Sequence, residues 1–181
     1  MIVIIRLTLV SILLLLAGCV SQYSITEREL TNYLNDEIHF ETKQGNPLFG
    51  IEMKINNVDV TLGDQAGVMG ITAHSAIDVR NPLMPIKAKL IVKFEAKPWY
   101  DAATHSVYLS QLNLVKIEST PKDIEKVINP IAPQVMQFLT HFLETQPVYV
   151  LDVKESNQAL IAEMTKRIEV VPGKLKLILK D

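Results

Sequence analysis

The stretch Ile86-Lys87-Ala88-Lys89-Leu90-Ile91-Val92-Lys93-Phe94-Glu95-Ala96 decides the fold class, because apolar and polar side chains alternate along most of it. Successive side chains of a β-strand point to opposite faces, so this spacing predicts a strand with one apolar face. The opposite face carries Lys87, Lys89, Lys93, Glu95 and Lys97. We expect these lysines to be solvated and to discourage edge pairing. Contact with anionic lipid headgroups is the alternative.

The two-residue period extends on both sides of this strand, over residues 51–118. Apolar positions alternate over 51–55 and again over 58–62, but with the opposite parity across Asn56-Asn57. This change of parity predicts a bulge or bend at the two asparagines. Further strands are predicted over 71–79 and 107–117, and the short turns between consecutive strands predict an antiparallel meander with one apolar face.

Helical patterns flank the meander. A first helix is predicted at about 26–38, after two overlapping capping boxes that pair Ser24 with Glu27 and Thr26 with Glu29. The longest apolar stripe with helical spacing covers 121–145, and the two prolines within it predict a kinked amphipathic helix. A short strand at 148–151, a third helix at about 156–167 and a hairpin around Pro172-Gly173 follow. The predicted fold class is α+β.

Composition excludes several classes of protein. The chain has 181 residues, one cysteine, 48% apolar residues and a formal charge of −2. Its apolar content excludes intrinsic disorder, and a single cysteine excludes an internal disulfide framework. The acidic balance argues against a nucleic-acid-binding surface. The length suits one domain with a hydrophobic core.

The N-terminus indicates export and lipidation. Residues 7–17 form an apolar segment too short for a permanent membrane span, and Leu16-Ala17-Gly18-Cys19 looks like a bacterial lipobox. We expect cleavage between Gly18 and Cys19, and a diacylglyceryl and an N-acyl group on Cys19. The alternative is that Cys19 is an ordinary buried cysteine. Residues 1–18 are thus the expected signal peptide, and 19–181 the expected single α+β domain.

Lipidation has consequences for charge and location. Loss of residues 1–18 removes Arg6 and takes the formal charge from −2 to −3. Two or three acyl chains hold a protein stably on a membrane. Val20 follows the lipidated cysteine, in place of the aspartate that keeps many lipoproteins in the inner membrane. We therefore expect an outer-membrane anchor with the domain facing the periplasm, in preference to the inner membrane.

No motif in the sequence marks an enzyme, a metal site or a cofactor site. His-Glu-x-x-His, Gly-x-Ser-x-Gly and phosphate-binding glycine runs are absent. The four histidines are scattered over different predicted elements, whereas a metal site needs several ligands brought together. The histidines are His39, His74, His105 and His141. We expect a protein that is not an enzyme and that binds no metal or cofactor apart from its covalent lipid.

Three segments carry a resemblance to a known family. They are residues 22–27 (Gln-Tyr-Ser-Ile-Thr-Glu), 146–151 (Gln-Pro-Val-Tyr-Val-Leu) and 168–175 (Ile-Glu-Val-Val-Pro-Gly-Lys-Leu). In these segments and their order the chain resembles the YceB-like family of bacterial lipoproteins, for which no activity is established. The resemblance implies a fold similar to lipid-binding modules of the bactericidal/permeability-increasing type. In those modules a curved antiparallel sheet wraps a long apolar helix.

The functional hypothesis concerns the predicted long helix. Its apolar stripe is either ordinary core or, if helix and sheet do not close completely, the lining of a groove for a phospholipid or fatty acid. The lining residues expected in the second case are Ile124, Val127, Ile128, Ile131, Val135 and Leu139. The alternative function is an envelope scaffold with a closed core that binds a protein partner, whose identity the sequence does not indicate.

Overall fold

The computed structural model describes residues 22–37, 41–83 and 85–180 of the chain. In chain order, the elements are β1 (Gln22–Thr26), α1 (Glu27–Glu37), β2 (Glu41–Gly45), β3 (Gly50–Leu62), β4 (Met69–Arg80), β5 (Ile86–Asp101), β6 (Ser106–Thr120), α2 (Ala132–Thr145), β7 (Tyr149–Val150), α3 (Ser156–Met164), β8 (Thr165–Val171) and β9 (Lys174–Leu179). They form two antiparallel sheets and three helices, which confirms the α+β class.

The large sheet is a six-stranded meander with the strand order β2-β3-β4-β5-β6-β7. Every neighbouring pair is antiparallel, as the alternation of the sequence predicts. The register between β3 and β4 shifts between Ile55 and Asn57, which confirms the bulge predicted at the asparagines. Because the bulge reverses the parity, the apolar residues on both sides of it face the same side of the sheet.

The small sheet has the strand order β1-β9-β8. The β8–β9 hairpin around Pro172-Gly173 confirms the sequence prediction. The pairing of β1 with β9, from Gln22 with Ile178 to Thr26 with Lys174, was not predicted, because a partner about 150 residues away leaves no local sequence signal. Gln22 and Tyr23 are therefore strand residues of the small sheet.

The prediction of one long kinked helix over 121–145 is wrong. A 3-10 turn (Lys122–Ile124), one α-helical turn (Glu125–Ile128) and a second 3-10 turn (Asn129–Ile131) precede α2. Pro130 and Pro133 have no backbone N–H and clash with the preceding turn, so a continuous helix is interrupted there. Pro133 is instead tolerated in the first turn of α2, where backbone N–H groups have no intrahelical partner.

The hydrophobic core lies where α1 and the small sheet pack against the large sheet. Its most buried members come from the N-terminal segment, from the middle strands and from the C-terminal hairpin. They include Ile25, Leu30, Leu34, Leu62, Met69, Val107, Leu109, Leu151, Leu175 and Leu177. The core therefore joins both ends of the chain to the meander.

Helix α1 begins with one of the two predicted capping boxes. Thr26 Oγ1 accepts a hydrogen bond from the Glu29 N–H at 3.2 Å, and the Glu29 carboxylate accepts one from the Thr26 N–H at 2.7 Å. Ser24 lies within β1, opposite Lys176. The box of Thr26 and Glu29 is therefore the one that caps the helix.

Candidate functional site

The apolar face of the large sheet is covered unequally at its two ends. Along β4, the inward-facing positions from Met69 to Ser75 are buried, but Ile77 and Val79 are partly exposed. Of their cross-strand neighbours, Met53 and Ile86 are partly exposed as well, whereas Ala88, which pairs with Ile77, is buried. We call the region of Met53, Ile77, Val79 and Ile86 the open end of the sheet. The opposite end, where Leu62 pairs with Met69, is the closed end.

Helix α1 covers the edge of β3 at the closed end. Three of its side chains, spaced four residues apart, hydrogen-bond the backbone of alternate β3 residues: Glu27 Oε1 with Leu62 N (2.6 Å), Thr31 Oγ1 with Val60 N (3.0 Å) and Asn35 Oδ1 with Val58 N (2.8 Å). We call these three residues the α1 ladder. Four helical residues rise about 6.0 Å and two strand residues about 6.6 Å, so the two periods match.

Asn35 makes the fullest contact in the α1 ladder. Its Nδ2 donates to the carbonyl oxygens of Val58 and Thr31, each at 2.8 Å, in addition to the bond from the Val58 N–H. Strand β2 pairs with β3 only as far as Lys54. Beyond that point the α1 ladder satisfies backbone groups that a neighbouring strand would otherwise satisfy.

The turn of the C-terminal hairpin completes the closed end. Gly173 N–H donates to the Leu62 carbonyl at 3.0 Å, and its carbonyl accepts from the Glu27 N–H at 3.2 Å. Gly63, at φ +85°, allows the close approach, because a Cβ there would lie 2.5 Å from the Pro172 nitrogen. The small sheet is thereby joined to both α1 and β3.

The segment predicted to line a groove begins towards the open end. Ser119, which pairs with Leu90, donates from its hydroxyl to the Pro121 carbonyl at 2.5 Å and from its N–H to Glu125 Oε1 at 3.1 Å. Ile124 lies in the 3-10 turn that follows and is partly buried. Helix α2 then packs against β6.

The other five predicted lining residues are distributed over three helical pieces. Val127 and Ile128 belong to the single α-helical turn, Ile131 to the second 3-10 turn, and Val135 and Leu139 to α2. Their side chains lie outside those that the structure describes. Their role in ligand binding remains a prediction.

The described side chains do not converge into a metal or acid-base centre. Within residues 22–37, 41–83 and 85–180, no group of three or more His, Cys, Asp or Glu side chains is placed to hold a metal ion. His74 lies 3.3 Å from Asp59 on a partly exposed surface, and His141 is exposed. His39 lies outside the described residues.

Three tyrosines lie near one another where β1, α1 and β7 meet. The Tyr33 and Tyr149 rings are 4.9 Å apart, and Tyr23 lies close enough to Tyr149 to affect its ionisation. Burial, together with the neighbouring Tyr23 and the Glu29 carboxylate, raises the pKa of Tyr149 to about 12. This cluster is neutral at physiological pH and serves packing.

The charged face of β5 is solvated, as the alternation predicts. Lys87, Lys89, Lys93 and Lys97 are all exposed, and Lys87 pairs with Asp78 at 3.1 Å. Gly18 and Cys19, the predicted cleavage and lipidation residues, lie outside the described part of the chain, so both assignments remain predictions.

Two features of this region were missed from the sequence. The α1 ladder is visible as polar residues at 27, 31 and 35, but similar spacing also occurs on solvated helix faces. The tripeptide Asn-Pro-Leu occurs twice, at 46–48 and 81–83, and both copies form turns beside the open end. The repetition of this tripeptide is the sequence signal that could have indicated two similar turns.

A family model covers most of this chain. Residues 25–174 match the family described as protein of unknown function (DUF1439). The chain belongs to this family. Similar curated proteins carry the name uncharacterized lipoprotein YceB. The protein from Salmonella typhimurium is 27% identical over 166 residues, or 89% of each chain, and the one from Escherichia coli K12 is 26% identical over 172 residues, or 92% of each chain. These matches confirm the resemblance to YceB-like lipoproteins.

A solved structure of lipopolysaccharide binding protein is also similar to the chain, with a TM-score of 0.34 and 12% sequence identity. The similarity covers 88% of this chain but 49% of that one, so the chain spans about half its length. None of the helices in the described residues is long and apolar enough to cross a membrane.

Proposed function

We propose that the mature chain is a lipid-anchored, non-catalytic envelope protein that binds an acyl chain of a phospholipid or fatty acid. The ligand lies against the apolar face of the large sheet at its open end. The observation that carries this proposal is the unequal cover of that face, which is buried at the closed end and partly exposed at Met53, Ile77, Val79 and Ile86.

The chemistry of the open end suits a hydrocarbon chain. Its four residues are aliphatic or thioether side chains, which adapt to a flexible ligand more readily than flat aromatic walls do. Covering partly exposed apolar surface with an acyl chain contributes about 0.8 kcal/mol for each buried methylene group. Ser119 bonds Pro121 and Glu125, which lie on either side of the predicted lining residue Ile124, and this supports a lining that begins near the open end.

The anchor belongs to the same proposal. The relatives named lipoproteins support lipidation of Cys19. Strand β1 begins at Gln22, three residues after Cys19, and three extended residues span at most about 11 Å. The first strand of the small sheet is therefore held close to the membrane surface. Val20 supports the outer membrane, with the domain facing the periplasm.

Native mass spectrometry tests ligand binding directly. A chain from Val20 to Asp181, exported through a cleavable signal that carries no lipobox and purified without detergent, retains every described element, since the first begins at Gln22. We expect a co-purifying phospholipid or fatty acid at one per chain, identified after solvent extraction.

An Ile77→Trp variant gives this experiment its specificity. The larger ring fills space at the open end and lowers ligand occupancy, whereas Val115→Trp, at an exposed position of β6, leaves occupancy unchanged. Circular dichroism confirms that both variants fold. A chain that is free of lipid when purified, and still free after incubation with oleate, contradicts the proposal and favours the scaffold that binds a protein partner.

A further inference from the structure

Two turns of the large sheet share the tripeptide Asn-Pro-Leu and one side-chain hydrogen bond. The β2–β3 turn contains Asn46-Pro47-Leu48 and the β4–β5 turn contains Asn81-Pro82-Leu83. In the first, Asn46 Oδ1 accepts hydrogen bonds from the N–H groups of Leu48 (2.9 Å) and Phe49 (2.8 Å). In the second, Asn81 Oδ1 accepts from the N–H of Leu83 at 2.9 Å.

These bonds and the prolines fix both turns. An asparagine side chain that bonds the backbone two residues later forms a turn of defined shape, and proline restricts φ at the next position. In the first turn Asn46 N–H also donates to the Phe49 carbonyl at 2.7 Å. Gly45 has φ +101°, and a Cβ there would collide with that carbonyl, so glycine is required. In both turns the backbone that carries the leucine side chain is therefore restricted by an asparagine bond and a proline.

The side chains that both turns present are large, apolar and exposed. Leu48 is 65% exposed, Phe49 56% and Leu83 94%. Gly50 pairs with Arg80 and Val79 with Ile86, so both turns lie at the same end of the sheet, beyond the open end. Two strand spacings separate the two hairpins, which places the turns about 10 Å apart.

The charges around the turns differ from those of the whole molecule. Residues 45–51 and 81–86 contain no charged side chain. The flanking strand residues within 41–54 and 78–89 carry five basic and three acidic side chains, whereas the mature chain has a formal charge of −3. Each of the three acids is ion-paired, Glu41 and Glu52 with Lys43, and Asp78 with Lys87. The net excess is therefore two positive charges, and Lys54, Arg80 and Lys89 are the basic residues outside these three ion pairs.

We propose that Leu48, Phe49 and Leu83 form an apolar tip that inserts into the surface of an anionic phospholipid bilayer. The inference rests on the proposed function and deepens it: the tip brings the open end to the membrane with which the acyl ligand is exchanged. Apolar side chains enter the boundary between headgroups and acyl chains, and the flanking cations meet anionic headgroups.

The shape of the tip favours a bilayer over a folded protein partner. The three side chains stand on two separate projecting turns, whereas a protein hot spot is usually a contiguous patch surrounded by contacts that exclude water. A fluid lipid surface accepts separated apolar side chains without a matching pocket. The basic excess around the turns is complementary to an anionic lipid surface.

Vesicle co-sedimentation tests the tip independently of the anchor. The chain from Val20 to Asp181 is mixed with vesicles of phosphatidylethanolamine and phosphatidylglycerol, or with vesicles of phosphatidylcholine alone. We expect preferential binding to the anionic vesicles, which weakens as salt screens the headgroup charge. Replacing Leu48, Phe49 and Leu83 together by serine lowers binding about tenfold or more, since the burial of all three is lost.

A matched variant replaces three other exposed apolar residues by serine. These are Val115, Val153 and Leu160, which are 53%, 50% and 58% exposed. We expect this control to bind vesicles within about twofold of the unaltered chain, because none of the three lies in either turn. An equal loss of vesicle binding in both triple variants would contradict the proposal that the apolar tip inserts into the membrane. Absence of vesicle binding by the unaltered chain would contradict it as well.

Lipid extraction from the same protein preparations separates the two proposals. A chain that retains an acyl ligand but does not bind vesicles contradicts the tip alone. A chain that binds vesicles through the tip but carries no ligand, before or after exposure to them, contradicts the proposed function and leaves the tip as a membrane contact.

Discussion

Replacement of Asn35 by alanine tests how α1 closes the edge of β3. The change removes three hydrogen bonds and leaves the N–H and carbonyl of Val58 without their side-chain partner. Partly buried backbone groups that lose a partner cost about 1–3 kcal/mol each, and water reaching this edge keeps the cost towards the lower limit. The better helix propensity of alanine offsets about 0.5 kcal/mol. We therefore expect a net loss of about 2 kcal/mol in the free energy of unfolding.

Urea unfolding followed by circular dichroism measures this loss. For a slope near 2 kcal/mol per molar urea, the midpoint falls by about 1 M. Asn32→Ala is the matched control, because Asn32 is exposed on the same helix and the propensity gain is the same. We expect Asn32→Ala to be as stable as the unaltered chain or slightly more so, and Thr31→Val, which removes one acceptor, to lie between the two. Equal midpoints for Asn35→Ala and Asn32→Ala would refute the reasoning.

Three further predictions concern other parts of the structure. Gly63→Ala should lower the free energy of unfolding by about 3 kcal/mol, and Gly67→Ala by about 1 kcal/mol. Both glycines have a positive φ, but only a Cβ at position 63 would clash with the Pro172 backbone. Thermal and urea unfolding of the two variants measure the difference. Burial raises the pKa of Tyr149 from 10.0 to about 12, so the contribution of the neutral phenol to folding stability is fully present below pH 10 and is lost as the pH rises towards 12. Between pH 9 and 12, the free energy of unfolding should therefore fall less for Tyr149→Phe than for the unaltered chain. An equal fall in both proteins would contradict this. Cys19→Ser should abolish incorporation of labelled fatty acid and leave an unprocessed precursor or a released domain; a processed, membrane-bound variant would disprove the lipobox assignment.

The local rules of the sequence predicted much of the meander and its boundaries. The opposite parity around Asn56-Asn57 indicated the bulge, because a two-residue period fixes which face each side chain takes. Thr26 and Glu29 indicated the start of α1, and Pro172-Gly173 indicated the C-terminal hairpin. In each case the determining contacts lie within a few residues of one another along the chain.

The features that sequence reasoning missed depend on distant contacts. Residues 22–26 form a strand because they pair with β9, and the Asn35 side chain hydrogen-bonds the backbone of Val58 at the edge of β3. Neither role is visible in the local sequence pattern. For the segment at 121–145, the unbroken apolar stripe suggested one kinked helix. Two prolines within four residues instead divided the backbone, because each removes a donor and crowds the preceding turn. The open end follows from how far α1 and the small sheet extend over the large sheet, which is a property of the assembled fold.

The most direct test of acyl-chain binding at the open end is methyl NMR with a spin-labelled fatty acid. In the chain from Val20 to Asp181 with labelled isoleucine methyl groups, the probe should broaden Ile77 and Ile86 at the open end. It should broaden Ile25 and Ile71 much less, because both lie towards the closed end and paramagnetic broadening falls steeply with distance. Broadening confined to Ile77, Ile86 and their neighbours is the predicted result. No broadening, or equal broadening of all four methyl groups, would contradict the account.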